Sequence, residues 1–174
     1  MDLALLVIRI VVGLLFVAHG LQKLLGSFGG PGLKGTAEMF DAMGLRPGRL
    51  HAPAAGSAEF AGGALLALGL VTPVGAALVI AVMVAAIATV HLHKGLWNQD
   101  GGPEYNLVLI AAAFALAGVG PGDWSLDEVA GIDWASTGWA LLAFGAGLLG
   151  GVLTVVGGRV VASRDGREGR PHPA

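Results

Sequence analysis

Residues 60–90 read FAGGALLALGLVTPVGAALVIAVMVAAIATV, with no charged side chain between Glu59 and His91. An α-helix needs roughly 20 such residues to cross about 30 Å of hydrocarbon, so the run is too long for one crossing and long enough for two. Thr72-Pro73 is its natural break, because proline is well placed in the first turn of a new helix, where its missing N–H forfeits no bond. The stretch therefore predicts a tight helical hairpin, with spans near 53–71 and 73–92. Counting outward in the same way gives three more spans, near 3–25, 104–120 and 136–158. All five are rich in Leu, Val and Ala without strict alternation, which favours helices over a barrel.

Composition agrees with that reading. The 174 residues are 55% hydrophobic and 13% charged, about half the roughly 25% charge of a soluble domain. Mean hydropathy is +0.74. A water-soluble single-core protein is therefore not expected, and disorder is excluded because it needs low hydrophobicity and high net charge, whereas the net charge is -2. There is no basic surplus for nucleic acid. The absence of cysteine removes disulfides, dithiol chemistry, iron–sulfur ligation and covalent haem attachment. Any redox role must use a bound cofactor or a partner protein. The first apolar stretch has no basic leader and is too long for a cleaved signal, so it is expected to be retained.

The cations set the expected orientation, since Lys and Arg resist translocation. With five spans, Lys23, Lys34, Arg46, Arg49, Lys94, Arg159, Arg164, Arg167 and Arg170 all fall on one side, while the other side carries Asp123, Asp127, Glu128 and Asp133. The expected arrangement is N-terminus outside and C-terminus cytoplasmic. Arg9, inside the first span, lies near enough to its outer end for the long side chain to snorkel to the headgroups. A short interfacial helix is expected over 36–44, with Met39, Phe40 and Met43 opposite Glu38 and Asp41. Ser125 and Glu128 form a capping box, with Trp124 and Val129 as its staple, expected flat on the membrane surface. Gly147 and Gly151 make a G-x-x-x-G step, read as packing within the bundle ahead of a homo-oligomer contact.

Ionisable groups inside a membrane are costly and therefore informative. With the expected topology, His19, Gln22 and Lys23 end span one, Glu59 lies near the start of span two, and Thr89, His91 and His93 end span three. Glu104, Tyr105 and Asn106 begin span four. All reach the cytoplasmic leaflet, and nothing comparable gathers on the outer side. Glu59 and His19 are the candidate proton-handling pair, because a carboxylate and an imidazole in low dielectric exchange protons near neutrality. Lys23, Gln22, His91, Glu104, Tyr105 and Asn106 are candidate ligand-binding residues. The plainer alternative is that Glu59 pairs with Lys23 or His19 to hold the bundle, and that His91 and His93 are ordinary interfacial residues. A metal site is not expected, since His91 and His93 point about 200° apart on a helix. A b-type haem between His19 and His91 has only two isolated histidines in its favour.

The segments LLVIRIVVGLLFVAHGLQKL (5–24), FGGPGL (28–33), AEFAGG (58–63), HLHKG (91–95) and GGPEYN (101–106) resemble, in order and spacing, the DoxX family of small bacterial and archaeal membrane proteins. The resemblance runs over about 3–128. It implies an all-α integral membrane bundle of four helices at 1–128 in a cytoplasmic membrane, to which this chain adds a fifth span at 129–158 and a basic, disordered tail at 159–174. By that resemblance Arg9, His19, Gln22, Lys23, Glu59, His91, Gly102, Glu104 and Tyr105 occupy recurrent family positions. It also implies a quinone-linked redox role beside a redox partner protein, without an assigned mechanism. The competing classes are a non-enzymatic scaffold or cargo-binding membrane protein and, third, a small proton-coupled carrier.

Overall fold

The computed structural model describes residues 1–168. It contains α1 (Asp2–Leu25), α2 (Gly32–Ala42), α3 (Gly48–Leu68), α4 (Thr72–Ala86, continued by a π-turn at Ile87–His91), α5 (Glu104–Val119), α6 (Leu126–Val129) and α7 (Thr137–Glu168). No strand occurs among the described residues. The chain is an all-α membrane bundle. Asp2–Leu25, Thr72–His91 and Thr137–Arg164 are each long and apolar enough to cross a bilayer, and Glu104–Val119 is apolar but shorter. α3 has the length, but it carries Arg49, His51 and Glu59.

The hairpin read from 60–90 forms as expected. α3 stops at Leu68 because Gly69 takes a left-handed conformation (φ 60°), and α4 opens with Pro73 in its first turn. α1 packs antiparallel on α3 through paired glycines: a Cβ on Gly13 would lie 2.6 Å from the Gly63 carbonyl oxygen, and one on Gly20 would lie 2.7 Å from that of Gly56. Each pair is spaced seven residues apart, so two backbones touch along two helical turns. α4 runs antiparallel to α3, and the same ends of α1 and α4 therefore meet the start of α3.

α7 lies parallel to α4. Gly147 and Gly151 sit against the Ala77 and Ala81 carbonyls, where a Cβ would approach to 2.8 and 2.7 Å. The G-x-x-x-G step thus packs within the chain. The main core joins Phe16, Leu66, Ile80 and Leu116, all at most 2% exposed. A second core gathers Phe40, Leu45, Ala52 and Val155. α2 begins at Gly32, earlier than expected, and buries Phe40 while Met39 stays exposed. Asp41 instead caps α3, accepting from the Gly48 amide at 2.7 Å.

Several expectations are corrected. Arg9 does not snorkel: it is fully buried, and its Nη2 donates to the Trp124 carbonyl at 2.6 Å. α6 is more than a surface turn: while Leu126 and Val129 stay exposed, Asp127 is fully buried in the α3–α4 turn. Its carboxylate accepts from the Val71 amide (2.7 Å), the Thr72 amide (3.1 Å) and the Thr72 hydroxyl (2.9 Å). Its own amide donates to the Gly69 carbonyl at 2.8 Å. Polar groups therefore do gather at the Trp124 end. The reason is local: Val71 holds φ 44°, a left-handed geometry costing a β-branched residue roughly 1–2 kcal/mol, and the Asp127 carboxylate offsets it. The Ser125 cap is present, its hydroxyl accepting from the Glu128 amide at 3.2 Å, though Trp124 and Val129 are both largely exposed. α7 continues past Gly158 to Glu168, so the first part of the expected tail is helical. The rest of the tail, 169–174, lies outside the described residues.

Candidate functional site

The acid read from the sequence is where α1 and α3 leave it least water. Glu59 is 4% exposed, and Lys23 reaches across the seam to both its oxygens, at 2.8 Å to Oε1 and 2.7 Å to Oε2. The close helix contact at Gly20 and Gly56 allows this, because a side chain at either position would push the two helices apart. The lysine side chain remains 20% exposed against 5% for the glutamate, so the pair is approached from the lysine side. Two of the three ammonium N–H groups serve Glu59, which leaves the third for another acceptor.

His19, one turn earlier on α1, is exposed, and its Nδ1 lies 3.0 Å from Gln22 Oε1. Gln22 Oε1 accepts this bond, so Nδ1 is its donor. Glu59 is therefore paired with Lys23 and not with His19, while His19 and Gln22 form a second small unit on the same helix.

The remaining candidates organise a different element. His91 Nδ1 donates to the Gly101 carbonyl at 2.6 Å, and Glu104 Oε2 accepts from the Asn98 amide at 2.9 Å. Both close the 92–103 loop on itself, together with the Glu104 amide bonded to the Leu96 carbonyl at 3.0 Å. Gly102 is required there, since a Cβ would meet the Leu96 carbonyl oxygen at 2.5 Å. Asn106 is buried and donates to Met83 Sδ at 3.3 Å, while Tyr105 is 45% exposed. The polar bonds of Lys23, Glu59 and His19 stay on α1 and α3, and those of His91 and Glu104 within 91–104. Among the described residues no three His, Asp or Glu side chains converge as a metal site.

Two concavities lie elsewhere. One, of about 410 Å³, is walled by 119–123 and 131–135. The other, of about 460 Å³, is an open apolar groove between α5 and α7, where Phe114 and Phe144 meet edge to face at 5.9 Å. Neither is lined by Glu59 or His91.

The residues missed by sequence reasoning are Arg9 and Asp127. A signal did exist, in the single arginine within an otherwise apolar first span, but its partner lies 115 residues away along the chain.

The family model for DoxX matches residues 4–92, which take in α1 to α4 with Lys23, Glu59 and His91. The chain belongs to the DoxX family. Among curated relatives of this DoxX chain, "Uncharacterized membrane protein Rv3486" of Mycobacterium tuberculosis is 31% identical over 132 residues, covering 70% of this chain and 77% of the relative. "Putative oxidoreductase CatD" of Bacillus subtilis is 31% identical over 117 residues, covering 67% of this chain and 81% of the relative. No solved structure matches. In this DoxX chain α7 lies beyond the residues that the family model covers.

Proposed function

We propose that the chain binds a quinone or a similar lipid-soluble molecule beside the Lys23–Glu59 pair, as an accessory or subunit of a quinone-linked redox complex. The observation that carries this reading is a buried carboxylate paired with a lysine that keeps one donor free at the edge of the seam. A quinone carbonyl accepts that third N–H. Reduction to the quinol consumes two electrons and two protons; the partner protein supplies the electrons, while His19 and Glu59 relay the protons. His91, Glu104, Tyr105 and Asn106, at the same end of the bundle, are the further ligand-binding candidates in this reading. In this reading the N-terminus is outside, and the Lys23 end faces the cytoplasm, where the cations accumulate. The name of the B. subtilis relative, "Putative oxidoreductase CatD", is in keeping with it.

The closed geometry of the ion pair favours a second reading, in which Lys23 and Glu59 only clamp α1 to α3 in a scaffold protein. A carrier is disfavoured by the tight Gly13–Gly63 contact, which leaves no room for a path along the seam between Arg9 and Glu59. Glu59→Gln separates the two. Purified in mild detergent, the wild-type protein should yield quinone in a solvent extract, and the variant, in which Lys23 is no longer held in place by a carboxylate, should remain folded and retain about tenfold less. Wild-type protein without quinone sinks the proposal. A variant that loses its fold favours the clamp.

A further inference from the structure

The end of α4 is wound more widely than an α-helix, and the bonds show what that releases. In an α-helix the Leu92 amide would donate to the carbonyl of Ala88. Here it donates to Ile87, five residues back, at 2.8 Å. The turn therefore leaves the Ala88 carbonyl, at a partly exposed place on the α4–α7 contact, without its helical donor. Arg159 of α7 fills that place: its Nη2 donates to Ala88 O at 3.0 Å. Thr89 adds a second brace, its hydroxyl donating to the Ala85 carbonyl at 2.8 Å.

Arg159 reaches Ala88 by design of the α4–α7 contact. Gly147, Gly151, Val155 and Arg159 recur every four residues, so they share one face of α7. Gly147 and Gly151 bring that face onto the α4 backbone at Ala77 and Ala81, and Val155 packs in the core that also takes Ala85 and Ala88. Arg159 is the next rung. An extra residue in one turn rotates the side chains beyond it by about 100°. In this rotated register His91 Nδ1 meets the Gly101 carbonyl and closes the 92–103 loop.

We propose that Arg159 is a positioning residue: by satisfying the Ala88 carbonyl it holds the π-turn, and through it the orientation of His91 and the loop that His91 closes. α7 is then the element that sets the geometry of the His91 side of the site. The consequence for ligand affinity rests on the quinone reading above; the geometric claim does not.

The test uses the full chain in detergent micelles with ¹⁵N-labelled histidine, the His91 signal being assigned by its disappearance in His91→Asn. In the wild type the His91 Nδ1–H should exchange slowly with water. Arg159→Met should raise that exchange about tenfold, as expected for loss of one hydrogen bond to a charged donor, and shift the signal toward a free imidazole. Arg159→Lys, which also donates a charged N–H, should restore it. The His19 signal, on α1, should not move in either variant. An unchanged His91 signal in Arg159→Met, or a lysine variant no better than methionine, overturns the proposal. Should the methionine chain not fold, Arg159→Gln, too short to span the gap, gives the same decision. Quinone content measured alongside should fall about tenfold in Arg159→Met. Wild-type protein that binds no quinone sinks the ligand reading alone, because the histidine result still decides the geometry.

Discussion

Asp127→Ala is expected to destabilise the chain by about 3–5 kcal/mol, the cost of removing one member of a buried charged network. The variant strips the acceptor from the Val71 and Thr72 amides and the Thr72 hydroxyl at once. It also leaves Arg9 buried with no carboxylate nearby, its Nε and Nη1 already without hydrogen-bond partners. Denaturant titration in mixed micelles measures the loss. The double variant Arg9→Met/Asp127→Ala should be more stable than Asp127→Ala alone, since it removes the stranded charge. A double variant as unstable as the sum of the singles would show that the two groups act independently.

Gly63→Leu should be comparably severe, at about 3 kcal/mol or more, above the usual range for overpacking because backbone atoms cannot yield. A Cβ at Gly63 would collide with the Gly13 carbonyl oxygen and approach the Val17 amide nitrogen to 2.7 Å. α1 and α3 would have to separate, which also lengthens the reach from Lys23 to Glu59. Gly145, with nothing near its added Cβ, is the matched control, and Gly145→Leu should change stability by less than about 0.5 kcal/mol. Equal losses at the two positions would mean that membrane insertion, and not the seam, limits both.

The contrast between those glycines marks where sequence reading succeeds and where it stops. Charge-free stretches and Thr72-Pro73 placed α1, α4 and α5 to within a residue or two, whereas α3 begins five residues earlier and α7 ends ten residues later than their uncharged runs. The demand for internal backbone hydrogen bonds in hydrocarbon marks the apolar segment and not where the helix stops. The Ser125 cap was equally local, as donor and acceptor lie three residues apart. Glu59 was legible as an unusual acid in an apolar run, and Lys23 was one of two partners the sequence offered. Asp127 was not legible. It reads as one more loop carboxylate until the α3–α4 turn is seen to wrap around it, and Arg9 is buried at the same end, bonded to the Trp124 carbonyl. The π-turn at Ile87–His91 carries no composition of its own: the Leu92 amide chooses between Ile87 and Ala88 according to whether something across the bundle takes the carbonyl left behind.

That choice has a timetable. α7 leaves the ribosome after the other helices, so the segment carrying His91 enters the membrane before Arg159 exists. Until then nothing from α7 occupies the Ala88 carbonyl, and the Leu92 amide is the donor that an α-turn would give it. With Arg159 as its holder, the wide turn waits for α7 to dock, and so does the His91 loop. Nascent chains stalled before Arg159 should accordingly carry a complete Lys23–Glu59 seam beside an unclosed 92–103 loop, separating in time two parts that share one end of the folded bundle.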